Sequence, residues 1–355
     1  MLRALILDTL SRAPNSQMVG ERWAALRTPP RTFARLLATE KCASDLLIRI
    51  ESLGLQSRLP PRLRETLTDS ARRETARMLA LKARLLLLER EFVSRNIQIT
   101  LLKGAAYVKL GLRRQRACSD IDILVAAEDR DGATAAVTAL GFRPAVTQLW
   151  ADAHQLPAFH SSDGMTIDVH TRALYRPGRL NDERWATQEV AAGVAVLAPT
   201  DWCWHTLAHD AFHHVSSGSA RSALDVACLI ETFDTQIDWR VIAARAASWP
   251  DRVEPLIRSV RRLGYAVPFR VSPSAHLASI CAQAGREYAA RVAASDDLFV
   301  YAAGKIGGLL LGSSAGWVDM RRGPLLEPGT DPVTSMLRDA GRLTRIMLGR
   351  RVALV

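Results

Sequence analysis

The chain reads as an α+β protein: a mixed sheet with helices, flanked by N- and C-terminal helical regions. Three observations predict this. Residues 32–53 and 70–92 carry apolar side chains at helical spacing on either side of the breaker Leu59-Pro60-Pro61. Between 96 and 198 short alternating apolar runs replace that spacing. From Asp201 the helical pattern returns and continues to about Gly349, interrupted by a Gly/Pro-containing loop at 323–332. The expected organisation is therefore a helical region at 1–95, an α/β core at 96–198 and a helical region at 199–355. With 355 residues and 48% hydrophobic side chains the chain has ample material for packed cores.

Each element follows in order. The 70–92 helix places Met78, Leu81, Leu85, Leu88 and Phe92 on one face, a scaffold for the sheet that follows. Ile97, Ile99 and Leu101 alternate as a strand that leads to a Lys103-Gly104 turn and a short helix. A basic turn with Arg113, Arg114 and Arg116 precedes a second strand, in which Asp120 and Asp122 sit among Ile121, Ile123, Leu124 and Val125. Residues 129–140 read as a helix stopped by Gly141. A strand near 144–149, a segment with His154 and His160 and a turn at 161–164 come next. The strand 165–170 then alternates Ile167 and Val169 with Asp168 and His170. Thr200 or Asp201 caps the following helix. A break at 216–219 separates that helix from one at 221–233, which contains Asp225.

The formal charge of +11 suits a nucleic-acid partner, but the basic residues are scattered rather than striped. They are nearly all arginine; the five lysines are Lys41, Lys82, Lys103, Lys109 and Lys305, which makes Lys103 beside a glycine a pointed choice. The five cysteines are widely spaced with no CxxC pair, so neither a zinc site nor a disulfide framework is indicated, and a reducing cytoplasm fits. The N-terminus lacks the features of a signal peptide, and the window 298–318 is too glycine-rich to span a membrane, so no membrane partner is expected.

The chemistry concentrates on three acids. Residues i and i+2 of a strand share a face, so Asp120 and Asp122 aim two carboxylates at one spot. Buried side by side they repel unless a cation lies between them. With Asp168 from a later strand they would hold two divalent ions roughly 3.5–4 Å apart. Mg²⁺ is the expected ion, with Mn²⁺ as the alternative. Asp168 would complete one metal site and position the acceptor, or act on it as general base. Lys103 would meet a triphosphate as a point charge, and Gly104 would let the backbone approach a phosphate. Ser119 and Arg116 join them as nucleotide-binding candidates, Arg116 either reaching a phosphate or bracing the acids. His205, His209 and His213 recur at i, i+4 spacing. With Trp202, Trp204 and Phe212 interleaved and no HExxH glutamate, they are expected to line a cleft beside the sheet, or to pack and hydrogen-bond to Asp225. His170, His209, Arg221 and Asp225 are candidates for that substrate cleft, His170 touching substrate or bracing Asp168.

This arrangement resembles the nucleotidyltransferase superfamily of the DNA polymerase β type, in which a glycine turn follows the first strand, a DxD lies on the second and one more acid on a later strand. It is most similar to a bacterial family of uncharacterised nucleotidyltransferases, through Leu102-Lys103-Gly104, Arg116 with the 120–125 strand DIDILV, and Ile167-Asp168-Val169-His170. The later His205, His209, Arg221 and Asp225-Val226 match its helical stretch, so the resemblance covers about residues 70–245. It implies a polymerase-β-like core and Mg²⁺-dependent transfer of a nucleoside monophosphate from an NTP such as ATP, with release of pyrophosphate. The turn reads Gly104-Ala105 where the superfamily has Gly-Gly or Gly-Ser, which removes one hydroxyl contact to phosphate and leaves a backbone amide. The acceptor is expected to be a hydroxyl on a small molecule or peptide. The alternatives are a tRNA-modifying toxin, which the basic charge suits, and a binding or scaffold protein with a degenerate core.

Overall fold

Prolines set the longer N-terminal helices, since a fixed φ and a missing N–H are harmless in the first turn. In a computed structural model, α1 (Leu2–Leu10) and α2 (Ser16–Ala24) precede α3 (Pro30–Glu40), α4 (Ala43–Ser52) and α5 (Pro61–Ser94), of which α3 and α5 each begin with a proline. The structure describes residues 2–113, 116–145, 155–174, 185–213, 218–247 and 249–269, with backbone only at 212, 213 and 251. All of them fall in one compact unit formed by 1–146 and 153–274.

The segment 32–53 is two helices rather than one. Lys41 takes the left-handed conformation (φ 45°), its N–H closes on Leu37 O at 2.8 Å, and α4 starts anew after Cys42. A glycine at such a stop is legible in a sequence, whereas a lysine is not. Helix α5 runs longer than the expected 70–92, and Leu81, Leu85, Leu88 and Phe92 are buried as the spacing predicts.

The sheet is mixed, with strand order β3-β4-β5-β2-β1-β7-β6 among the described residues. Strand β1 (Ile99–Leu101) runs antiparallel to β2 (Asp120–Leu124) and parallel to β7 (Val194–Leu197). Strand β2 is parallel to β5 (Thr166–His170), and β3 (Arg143–Pro144) and β4 (Phe159–His160) add antiparallel pairs beyond it. Of the strand expected near 144–149 only its first residues are described; 146–149, His154, Arg114 and residues 270–355, with the helices, window and loop expected there, lie outside the described residues. Strand β6 (Thr187–Ala191) forms a hairpin with β7 that the sequence did not announce, closed through Gly193 at φ 71°.

Helices α6 (Lys103–Leu110) and α7 (Arg130–Ala139) connect the core strands, and α8 (Pro199–His213), α9 (Ala220–Phe233), α10 (Trp239–Ala246) and α11 (Pro250–Arg262) follow the sheet. Aromatic side chains stitch these together: Tyr107 of α6 meets Trp202 of α8 with ring centroids 4.7 Å apart, and Trp202 meets Phe233 of α9 at 6.4 Å. The described cysteines, Cys42, Cys118, Cys203 and Cys228, are buried free thiols. No described helix is long and apolar enough to cross a membrane.

Candidate active site

Strands β2 and β5 lie side by side in parallel register, with Asp120 opposite Thr166, Asp122 opposite Asp168 and Leu124 opposite His170. Partners in register project to the same face, and so do alternate residues along one strand. The pleat therefore gathers Asp120, Asp122 and Asp168 on one face, while Ile121, Ile123, Ile167 and Val169 turn to the other and are fully buried. Asp122 is 2% exposed, and Asp120 and Asp168 are half-buried.

The electrostatics of this face is set by crowding. Burial raises the Asp122 carboxyl, but Lys103 and His170 outweigh it and hold that carboxyl below the usual range. Lys103 Nζ lies 2.6 Å and His170 Nε2 3.0 Å from the same Asp122 Oδ1. Burial holds His170 below its ordinary value, so a neutral ring donates through Nε2–H to the carboxylate. Asp168 has no such compensation. Burial, and then the neighbouring Asp122 carboxylate, push its carboxyl up to about 7, with Lys103 opposing and Asp120 adding to the repulsion.

Lys103 opens α6 in a left-handed conformation (φ 46°), so the expected turn is the first residue of the helix itself. A non-glycine residue there costs about 1–2 kcal/mol, and it is tolerated where the side chain is needed. Gly104 is required by packing. A Cβ there would stand 2.1 Å from Cys118 Sγ and 2.5 Å from Arg116 Nη1. Gly104→Ala is accordingly expected to lower stability by about 1–3 kcal/mol, read as a fall in thermal midpoint.

Arg116 is spent on a different task from a phosphate contact. Its Nε and Nη2 grip Asp225 at 2.9–3.1 Å, and its Nη1 donates to Ala117 O at 3.1 Å. Asp225 also takes Arg113 Nη1 at 2.5 Å, while Arg113 Nη2 bonds to Asp45 of α4. Of the two roles expected for Arg116, the guanidinium adopts bracing, and the acid it braces is Asp225 rather than those on β2. Asp225 is 3% exposed and both its oxygens accept from arginines, so it is buried in the interior rather than set along an open cleft. Burial would raise its carboxyl, but Arg116 and Arg113 prevail and hold it low.

The histidines have other partners. His205 donates Nε2–H to Ala173 O at 3.0 Å just past β5, and burial pushes its ring down to about 3. Its ring meets Trp185 edge-on at 5.6 Å and stacks on His209 at 6.0 Å. The side chain of His213 lies outside the described residues. At the other end of β2, Lys41 Nζ contacts Ser119 Oγ at 2.6 Å, and Ser119 Oγ contacts Asp120 Oδ1 at 3.1 Å. Burial and then the nearby Arg221 guanidinium hold Lys41 below its ordinary value. Sequence reasoning missed Lys41, Arg113 and Asp45 as parts of this region, and no local pattern marks any of them.

Among the described residues no three His, Cys, Asp or Glu side chains stand together as a ready metal-binding group. The donor set nonetheless suits a hard cation in its chemistry: three carboxylates share a face on which burial and the neighbouring Asp122 carboxylate push Asp168 toward its protonated form. A mixed sheet carrying such acids, with helices on its flanks, is consistent with the core of a nucleotidyltransferase. A family of proteins described as uncharacterised nucleotidyltransferases matches residues 28–253, more than half of the chain. The chain belongs to that family. No curated protein and no solved structure matches it significantly.

Proposed function

We propose that the protein transfers a nucleoside monophosphate from an NTP to a hydroxyl of a small molecule or peptide. The reading is carried by the register of β2 and β5, which sets Asp122 beside Asp168 with Asp120 on the same face. Asp120, Asp122 and Asp168 are the residues that would hold Mg²⁺ or Mn²⁺, two ions in the full reading, and bound there the metal supplies positive charge against the triphosphate and the departing pyrophosphate. The acceptor oxygen attacks the α-phosphorus, the bond from that phosphorus to the bridging oxygen breaks, and pyrophosphate leaves. Asp168 orients the acceptor hydroxyl and takes its proton. Lys103, paired with Asp122, meets the phosphates as a point charge, and His170 fixes the Asp122 carboxylate. Phosphoryl-type transfer depends mostly on positioning and electrostatics, which these groups provide. A reducing cytoplasm suits the free thiols.

A small acceptor is favoured because Arg113 and Arg116, in the basic turn ahead of β2, are tied up in buried ion pairs rather than laid along a groove. The net charge of +11 favours a second reading, a tRNA acceptor. Incubation with each labelled NTP, Mg²⁺ and either total RNA or a small-molecule extract separates the two. Label is expected in the small-molecule fraction, with turnover insensitive to added salt. Label on RNA with a steep loss at higher salt would favour tRNA. No label in either, together with no Mg²⁺-dependent NTP binding by calorimetry, would leave a degenerate scaffold.

A further inference from the structure

Two of the four described lysines adopt the left-handed backbone conformation that a glycine takes at far lower cost: Lys41 at φ 45° and Lys103 at φ 46°. Among the described residues Asn96 is the third non-glycine residue with positive φ. Both lysine side chains converge on the acid-bearing strand, Lys103 on Asp122 and Lys41 on Ser119 immediately before Asp120. As the stop of α3, Lys41 needs only its backbone N–H, which bonds to Leu37 O; a glycine would do the same without strain. What the lysine adds there over a glycine is its ammonium. The bond it makes is to a neutral hydroxyl, a weak partner for a partly desolvated cation. Arg221, in the first turn of α9, adds a second positive charge close enough to repel it. Asp120 favours the charged form of both, and Asp225 and Asp210 also favour that of Arg221.

We propose that Lys41 and Arg221 form a phosphate subsite at the Asp120 end of the acid face, supplied jointly by the N-terminal helices and α9. The proposal deepens and rests on the nucleotidyl-transfer reading, and it gives the N-terminal helical region a part in substrate recognition. A phosphate presents several anionic oxygens, so one group can accept from the ammonium and the guanidinium together. Its source is the polyphosphate tail of the nucleotide or a phosphate carried by the acceptor.

Lys41→Gly tests this, because it keeps the left-handed stop while removing the charge; Lys41→Arg is the conservative control. Calorimetry in Mg²⁺ reads the binding of tripolyphosphate, of NTP and of the bare nucleoside, and then of inorganic phosphate to NTP-saturated protein. Lys41→Gly is expected to melt no lower than the natural chain, yet to bind tripolyphosphate and NTP about tenfold or more weakly. Nucleoside affinity should not move, and Lys41→Arg should recover part of the loss. A loss confined to inorganic phosphate on NTP-saturated protein assigns the same subsite to the acceptor. Equal affinities for Lys41→Gly and the natural chain in both arms overturn the proposal, as does a natural chain that binds neither tripolyphosphate nor, when NTP-saturated, inorganic phosphate. A natural chain that binds tripolyphosphate through Lys41 but transfers no nucleotide overturns the transfer reading and leaves the subsite standing.

Discussion

Asp122→Asn is expected to lower nucleotidyl transfer by about a thousandfold or more while the protein still folds. The reasoning is geometric. Asp122 is the most deeply buried of the three acids, and a single oxygen accepts from both Lys103 Nζ at 2.6 Å and His170 Nε2 at 3.0 Å. An asparagine carries an oxygen of the same shape that can accept both bonds, so the local packing survives. What disappears is the negative charge that holds Lys103 in place and that would bind a divalent cation. The measurement pairs labelled-NTP transfer with a thermal melt. Transfer at the natural rate with an unchanged melt would remove Asp122 from the chemistry. A collapse of the melt would show instead that its charge serves mainly the fold.

The second large effect falls on stability. Asp225→Ala leaves Arg113 and Arg116 buried without their shared carboxylate. Removing one partner of a buried charge pair costs about 3–5 kcal/mol, because the stranded charge keeps its desolvation penalty. A fall in thermal midpoint of about 4–7 °C is expected. Asp225→Asn should fall between, since it keeps the shape and one acceptor. The same group gives acid sensitivity its sign. The two arginines hold the Asp225 carboxyl below its unfolded value. Its contribution is therefore fully present above an unfolded carboxylate pKa of about 3.9 and is lost as pH falls through the lower folded value. Urea midpoints of the natural chain should thus decline below about pH 4, and those of Asp225→Asn should decline less steeply. Parallel declines would place the acid sensitivity in other carboxylates.

What was legible in the sequence was what short contiguous patterns encode. Period-two alternation put Asp120 and Asp122 on one face, and Asp168 with His170 on one face of its own strand. Helical spacing found the buried stripe of α5. Pairing across the fold was hidden. The Arg116 guanidinium could be read as phosphate-seeking because its partner, Asp225, lies 109 residues away. Nothing local distinguishes a cleft carboxylate from one buried under two arginines. The stop at Lys41 was hidden because the residue there is not the one its conformation prefers. Gly104 was recognised as special, but the close contact it permits is set by Cys118 and Arg116 after the chain has turned back. The two-residue strands β3 and β4 owe their pairing to neighbours rather than to their own propensities.

The line from Asp45 through Arg113 and Asp225 to Arg116 has a consequence for how such a chain can be divided or exchanged. It joins the fourth helix, the loop ahead of the DID strand and the ninth helix, and Glu40 adds a second tie by accepting from Arg3 and from the Ala220 amide. A catalytic sheet excised as a cassette would carry orphaned guanidinium groups into its own interior. Grafting the leading helices of a relative onto this sheet would succeed only if residues 218–233 travelled with them.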